Sequence, residues 1–339
     1  MPARIPARSL LFACLALTAC HTPADSGSPA DTAPEPCAFS FAILTDTHLG
    51  EGLEDHGSAG WEDEGGDGGA NGTDLATAVQ QTNALAEAQE DLRFVMVLGD
   101  LSDSAERSEL VAARDVLDGL ALPYFPLLGN HDVWPYVRDE GGGTWQEADD
   151  ATGDAVLWEV FHDVFAARAE AFSSLTFAAP TTDPDSGAAR PFVDYSFDVC
   201  GAHMVVTDTN TRSHTTVNAP GIGPEASLND VPDGMWPWLQ QDLLSERAAR
   251  ASRILVFGHH PFSGAGLYTF TEEEFDAMEE FVEEHGLTEQ IGAFFGGHIH
   301  IDALLEGPAG IPEVLTAATK DQRAPRLVHV GADGEVAWE

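Results

Sequence analysis

Five short motifs along the chain combine carboxylate, amide and imidazole side chains, and each directly follows an apolar segment. They are Asp46-Thr47-His48, Gly99-Asp100-Leu101-Ser102-Asp103, Gly129-Asn130-His131-Asp132, Gly258-His259-His260-Pro261 and Gly296-Gly297-His298-Ile299-His300. This mixture of oxygen and imidazole donors suits transition-metal ions such as Mn, Fe or Zn. The donors outnumber the needs of one four-coordinate ion. They therefore predict a centre with two metal ions that share a carboxylate.

The apolar segments in front of the motifs are predicted to be buried strands. They are Phe39–Thr45, Phe94–Leu98, Tyr124–Leu128, Ile254–Phe257 and Ala293–Phe295. Ligand sites in open α/β sheets lie beyond the carboxyl ends of the strands, so five motifs placed there can meet in one cleft. Glycine beside the polar residues lets the chain turn sharply and approach an ion closely. Each motif alone is common, and the specific signal is the presence of all five in this order.

Taken together, the motifs resemble those of the calcineurin-like metallophosphoesterases, in the branch of purple acid phosphatases and cyclic-nucleotide phosphodiesterases. The resemblance runs from Phe39 to about His300. It implies two metal ions with Asp100 as the shared carboxylate. The further ligands that it implies are Asp46, His48 and His300 for the first ion, and Asn130, His259 and His298 for the second.

The resemblance also assigns roles to residues that are not ligands. His131 matches a histidine that contacts the substrate phosphate and protonates the leaving group, and Asp132 is expected to orient it. Asp103 is expected to support the metal ligands without binding an ion itself. His259 and His260 are adjacent, and the His-x-Pro spacing of the family favours His259 as the ligand.

The implied activity is metal-dependent hydrolysis of a phosphomonoester or phosphodiester. The chain carries 57 acidic and 15 basic residues, a formal net charge of −42, which opposes binding of a nucleic-acid backbone and favours a small substrate. The alternative enzyme is a cyclic-nucleotide phosphodiesterase or a nuclease. A binding or structural lipoprotein of the cell surface without catalysis is a further alternative. We expect the protein to be a monomer.

The predicted fold class is α/β, a four-layer α-β-β-α sandwich in which two central mixed β-sheets carry the dinuclear metal site at strand C-terminal ends. A hairpin is predicted around Cys200-Gly201, and acidic surface loops are predicted at residues 51–74 and 138–154. Further strands are predicted at Ala303–Leu305, Glu313–Thr316 and Arg326–Trp338. Helices are predicted at Leu75–Asp91, Glu106–Leu117, Val156–Phe172, Pro237–Arg250 and Glu272–His285.

The N-terminus has the pattern of an export signal. Residues 1–19 form a basic and then apolar leader, too short to span a bilayer as a helix, that runs into Leu17-Thr18-Ala19-Cys20. This end resembles the lipobox of bacterial lipoproteins, which implies acylation of Cys20 and anchoring to a membrane of the cell envelope. Residues 20–37 are then a disordered tether, and residues 38–339 form the catalytic domain. In this compartment we expect a Cys37–Cys200 disulfide, with two free buried thiols as the alternative.

Overall fold

The computed structural model describes most of the chain after residue 35, in segments separated by gaps. The described residues are 36–50, 69–103, 107–133, 136–138, 145–147, 176–177, 181–182, 189–190, 193–211, 226–229, 234–264 and 269–339. The predicted leader, the lipidated cysteine and the predicted helix over residues 156–172 lie outside them. So does most of the two acidic insertions.

The helices and strands of the described residues are numbered here in chain order. Strands β1 to β16 are Phe39–Leu44, Leu92–Leu98, Tyr124–Leu127, Tyr136–Arg138, Trp145–Glu147, Thr176–Phe177, Thr181–Thr182, Ala189–Arg190, Tyr195–Val199, Ala202–Val206, Arg253–Phe257, Ile291–Gly296, Ala303–Glu306, Pro312–Leu315, Arg326–Val330 and Val336–Trp338. Helices α1 to α6 are Gly69–Ala88, Arg107–Leu117, Asn130–Val133, Met235–Leu243, Glu246–Arg250 and Glu272–Glu284. Short 3-10 turns occupy Pro308–Gly310 and Thr319–Asp321.

Two mixed sheets organise the described residues. The first has the strand order β16-β15-β1-β2-β3, in which β1, β2 and β3 are parallel neighbours. The second has the order β13-β14-β12-β11-β10-β9-β6, and β14, β12, β11 and β10 are parallel. Since parallel strands end at the same edge of a sheet, each sheet collects the loops that follow its strands at one edge.

The two sheets pack face to face through aromatic side chains. Phe41 of β1 lies 5.7 Å, between ring centroids, from both Phe257 of β11 and Phe295 of β12. Phe125 of β3 stacks on Phe197 of β9 at 4.2 Å. These rings are buried, and burying each one contributes on the order of 2–3 kcal/mol. The aromatic layer therefore holds the parallel strands of both sheets in fixed positions relative to one another.

Helices cover the outer faces of the sheets, which confirms the predicted layered α/β sandwich. Buried residues of α1 and α2, such as Leu75 and Leu110, join the core of the first sheet. Buried residues of α4 and α6, such as Met235 and Phe281, join a second core against the outer face of the second sheet. None of the helices among the described residues is long and apolar enough to cross a membrane.

Some predicted element boundaries are wrong. The helix predicted over residues 237–250 is two helices, because the side chain of Ser245 accepts a hydrogen bond from Ala248 N and caps a new helix. The predicted strand Arg326–Trp338 is two strands, because the chain turns at Gly334, where φ is +82°. Helix α1 begins at Gly69, inside the segment predicted to be an acidic loop. Its first turn is poor in helix formers, but Asn71 Nδ2 donates a hydrogen bond to the carbonyl oxygen of His48 at 2.6 Å.

The predicted disulfide is confirmed. Cys37 and Cys200 are bonded, with their Cα atoms 4.8 Å apart, and Cys37 N also donates a hydrogen bond to the carbonyl oxygen of Cys200. Cys37 precedes β1 of the first sheet, whereas Cys200 lies in the turn between β9 and β10 of the second. The bond therefore joins the two sheets at the ends remote from the polar motifs.

Candidate metal centre

The five motifs meet at the carboxyl ends of the parallel strands, where the ends of the two packed sheets lie side by side. Three follow β1, β2 and β3 in the first sheet, and two follow β11 and β12 in the second. Backbone hydrogen bonds join the motif loops directly, since Asp46 N donates to Gly99 O and Gly297 N donates to His259 O. The structure thus brings all seven side chains predicted as ligands into one cluster, and their binding of metal stays a prediction.

The first group contains the four side chains predicted to surround the first ion. Their ligand atoms lie within 4.8 Å of one another. His300 Nε2 is 3.2 Å from Asp46 Oδ1, and His48 Nε2 is 3.4 Å from Asp100 Oδ2. His48 Nδ1 donates to Asp103 Oδ1 at 2.9 Å, so its lone pair is on Nε2 and points toward the cluster. The expected supporting role of Asp103 matches this contact.

The second group shares Asp100 with the first. His259 Nε2 is 3.2 Å from Asp100 Oδ2 and 3.1 Å from Asn130 Oδ1, which is also 3.1 Å from His298 Nδ1. His259 Nδ1 donates to the carbonyl oxygen of Leu98 at 2.8 Å, which leaves Nε2 as the donor atom for an ion. These contacts join His259 to Asp100 and Asn130, as expected for the ligand. His260 bonds Thr209 Oγ1 through Nδ1 at 2.9 Å, but its buried Nε2 has no hydrogen-bond partner among the described residues, and a ring nitrogen of His260 lies within 4.8 Å of those of His259 and His298.

The spacing of the donor atoms fits metal ions. Atoms that bind one ion at about 2.1 Å are about 3.0 Å apart at octahedral angles and about 3.4 Å apart at tetrahedral angles. The measured separations of 3.1 to 3.4 Å fall in this range. In addition, His48 Nε2 is buried and has no hydrogen-bond partner among the described residues. Burying an imidazole nitrogen without a hydrogen-bond partner lowers the stability of the fold unless an ion or a water molecule binds it.

The backbone is strained at the motifs. Five of the seven predicted ligands have a positive φ, a region that residues other than glycine rarely adopt. They are Asp46 (51°), His48 (42°), Asp100 (49°), His298 (67°) and His300 (58°). Each such residue costs on the order of 1–2 kcal/mol, and strain of this kind concentrates at functional sites. The fold therefore maintains a ligand arrangement that local backbone preferences oppose.

Two glycines of the motifs are required by close approach. A Cβ on Gly129 would lie 2.1 Å from Asp100 Oδ1, and a Cβ on Gly297 would lie 2.6 Å from Asp46 Oδ2. Both contacts are far shorter than van der Waals distances. This confirms the expectation that glycine lets the chain pass close to the ligands.

The two groups are electrostatically coupled through Asp100. Burial alone would raise the pKa of its carboxyl group, but the charges of His259, His131 and His48 lower the pKa well below its usual value. Burial likewise would lower the pKa of His259, but Asp100 raises it to about 9. A cation that binds between these groups must displace the imidazolium proton, because histidine binds metal in its neutral form. The shared carboxylate therefore stays ionised and ready to bind positive charge.

His131 lies at the open side of the cluster. Its ring centroid is 4.5 Å from that of His48, and its side chain is 22% exposed. Its Nδ1 donates to the carbonyl oxygen of Asp103 at 2.6 Å, and its backbone N donates to Asp100 Oδ1. Since a carbonyl oxygen only accepts, Nδ1 keeps its hydrogen and Nε2 is the atom at which a proton can be exchanged.

Asp132 was expected to orient His131, but its carboxylate is bonded to other partners. The Asp132 carboxylate accepts from Ser102 N and Ser102 Oγ on one oxygen and from Gly129 N on the other, each at 2.8 Å. It thereby ties the loop of Asp100 to the loop of Asn130. Burial and then the charge of Asp100 raise the pKa of Asp132 to about 6. The His131 ring is instead positioned by the backbone of Asp103.

Sequence reasoning missed two features that support the site. Glu313 of β14 is fully buried and accepts hydrogen bonds from Phe262 N and Ser263 N, directly after the histidines of the fourth motif. Burial raises the pKa of its carboxyl group. The turn Thr319–Asp321 is hydrogen-bonded to the end of β1. The one signal in the sequence was a charged residue, Glu313, inside a short apolar strand.

Several solved structures are similar to this chain. A dimetal phosphatase from Danio rerio is similar in structure, with a TM-score of 0.53, 15% identity, and coverage of 90% of this chain and 98% of that one. A 5'-nucleotidase from Candida albicans (TM-score 0.48, 13% identity, 90% and 52% covered) and a purple acid phosphatase from yellow lupin (0.45, 14%, 89% and 53%) are also similar. At these identities the likeness to the first shows the fold alone.

No curated protein matches the chain by sequence. The family model described as calcineurin-like phosphoesterase, however, matches residues 39–302. This range contains all five motifs and all seven side chains predicted as ligands. The chain therefore belongs to the calcineurin-like phosphoesterase family of metal-dependent hydrolases.

Proposed function

We propose that this protein hydrolyses small phosphate esters with two bound metal ions, at the cell envelope. The observation that carries the proposal is the position of Asp100 Oδ2, which lies 3.4 Å from His48 Nε2 of one donor group and 3.2 Å from His259 Nε2 of the other. A buried carboxylate between two sets of donors is what a pair of ions sharing one ligand requires.

In this proposal most side chains of the site bind the metal ions, and His131 transfers a proton. When bound, two divalent ions supply Lewis acidity, activate water and offset the negative charge of the phosphate. The cations would be held by the seven predicted ligands, Asp46, His48, Asp100, Asn130, His259, His298 and His300, and Asp103 fixes the ring of His48. His131 holds its Nδ1 hydrogen against the Asp103 carbonyl, so its Nε2 can give a proton to the departing alkoxide.

The substrate is small in this proposal because of the charge of the chain. A net charge of −42 repels long polyanions, whereas a single phosphate can be compensated locally by the cations of the site. The envelope location is supported by the leader that ends in Leu17-Thr18-Ala19-Cys20 and by the disulfide between Cys37 and Cys200, a bond typical of exported proteins. A lipid on Cys20 would anchor the domain to a membrane.

Metal removal and return tests the proposal. The protein is stripped with a chelator, loaded with Mn, Fe or Zn, and assayed on a panel of phosphomonoesters and phosphodiesters while its bound metal is measured. Asp100→Asn is compared with Asp276→Asn, a control that makes the same change at an exposed position of α6.

The expected result is about two equivalents of metal and metal-dependent activity in the wild type and in the control. Asp100→Asn should lose metal and at least about 100-fold in turnover, because changes around metal ligands already cost 10- to 100-fold. Full activity of the stripped wild type, or an Asp100→Asn variant with wild-type metal content and turnover, would refute the proposal.

A further inference from the structure

The chain contains a single lysine, Lys320, and the fold places its main chain beside the candidate metal centre. It lies in the 3-10 turn Thr319–Asp321, outside the residues that match the family. Three hydrogen bonds fasten this turn to the first motif. Thr45 N donates to Thr319 Oγ1 at 3.2 Å, Thr319 N donates to Thr45 O at 2.8 Å, and Lys320 N donates to Asp46 O at 3.3 Å. The backbone of Lys320 is therefore adjacent to a predicted metal ligand.

Lys320 is half-buried and forms no ion pair with a carboxylate within the part of the chain that the structure describes. Its main chain lies against Asp46, one of the four side chains of the first donor group. The four-carbon stem of lysine lets an ammonium group that starts there reach an anion held at that group.

A cation without a carboxylate partner is stabilised by an anion that reaches it. The donor group beside it is where a phosphate would bind, and Lys320 can place a point charge there without competing for the metal ligands. Its main-chain hydrogen bonds hold the residue in place whatever the side chain does.

We propose that Lys320 binds a non-bridging oxygen of the substrate phosphate and makes the site selective for phosphomonoesters over phosphodiesters. The inference rests on the proposed function. It concerns the choice between phosphomonoesters and phosphodiesters, which the motifs do not determine. A monoester carries close to two negative charges at pH 7 to 8, because its second pKa is about 6, whereas a diester carries one. An additional fixed positive charge therefore stabilises the bound monoester more.

The first test compares Lys320→Gln, which removes the charge, with Lys320→Arg, which keeps it. Arg323→Gln is the matched control, because it removes one positive charge from an exposed position of the same segment. Each metal-loaded protein is assayed with 4-nitrophenyl phosphate and bis(4-nitrophenyl) phosphate. Inhibition by inorganic phosphate, metal content and thermal unfolding are measured in parallel.

We expect Lys320→Gln to lower kcat/KM for the monoester by about 10- to 100-fold, the loss typical of a charged hydrogen bond, and to weaken phosphate inhibition similarly. The ratio of monoester to diester kcat/KM should fall at least about tenfold. Lys320→Arg should recover most of the loss, and metal content should be unchanged. Equal losses on both substrates, no loss, or the same loss in Arg323→Gln would overturn the inference.

A second test does not depend on turnover. Because Lys320 is the single lysine, an amine-acylating reagent modifies one side chain, which peptide mass spectrometry separates from the terminal amine. Inorganic phosphate should slow acylation of Lys320 in the metal-loaded wild type, and chloride at the same ionic strength serves as the control. If phosphate protects Lys320 but the protein has no esterase activity, the anion site is supported and the proposed function is refuted. Absence of protection by phosphate refutes the role of Lys320 in either case.

Discussion

Replacing Glu313 tests how the fold holds the backbone of the fourth motif. Its Oε1 accepts from Phe262 N at 2.5 Å and its Oε2 accepts from Ser263 N at 3.0 Å, so one carboxylate closes the turn that follows His259. The side chain is fully buried on β14, which lies beside β12 in the second sheet. Replacement by alanine would leave both backbone donors without an acceptor.

The size of the effect follows from these contacts. A buried donor left without a partner costs about 1–3 kcal/mol, and Ser263 belongs at the low end because it is only partly buried. Burial of the carboxylate itself opposes folding, which is visible in its raised pKa, and alanine removes that cost. We therefore expect Glu313→Ala to lower the free energy of unfolding by about 2–4 kcal/mol.

Urea unfolding of the metal-free proteins measures this difference, with Glu306→Ala on the exposed side of β13 as the control. The free energy of unfolding of Glu313→Gln should lie between those of the wild type and the alanine variant, since its amide oxygen can accept only one of the two hydrogen bonds. The alanine variant should also bind less metal than the wild type, because the backbone after His259 is no longer held. A Glu313→Ala variant that unfolds within about 0.5 kcal/mol of the wild type and keeps all its metal would refute the reasoning.

Two further predictions concern single histidines. His131→Ala should lose about 10²- to 10⁴-fold in kcat while keeping both metal ions, and a loss of metal in this variant would mean that His131 is a ligand. His203 is buried between Asp198 and Asp242, at 2.6 and 2.8 Å; burial would lower its pKa, but the two carboxylates raise it above 6.5. Its stabilisation is therefore complete below pH 6.5 and is lost as pH rises through the raised pKa. His203→Gln should cost about 3 kcal/mol in urea unfolding at pH 6 and less at higher pH, whereas a difference independent of pH would contradict the assignment.

The sequence was sufficient for the parts of the site that depend on strand order and residue type. Buried strands followed by glycine and a polar residue, as at Gly99 and Gly129, predict that the donors lie at one edge of the sheets. Helix and strand ends were less predictable, because a single side chain decides them. The cap at Ser245 breaks a continuous helical pattern that apolar spacing alone cannot divide.

Contacts across the cluster were beyond sequence reasoning. Asp132 is adjacent to His131 in the chain, yet its carboxylate reaches Ser102, 30 residues away, because the two loops pack together. Glu313 and Lys320 lie in the last strands and turns, after the final motif, where residue type alone does not distinguish a support from a surface charge. Only the pairing of β14 with β12, and of the turn at Thr319 with β1, brings them to the site.

The disulfide also limits how the two sheets can move. Cys37 and the Cys200 turn lie at one end of the strands, and β1 runs for six residues, about 20 Å, from Cys37 toward Asp46 at the other end. Because the covalent link is this far from the donor atoms, its reduction would free the sheets from one another at that end without removing any contact among the five motifs.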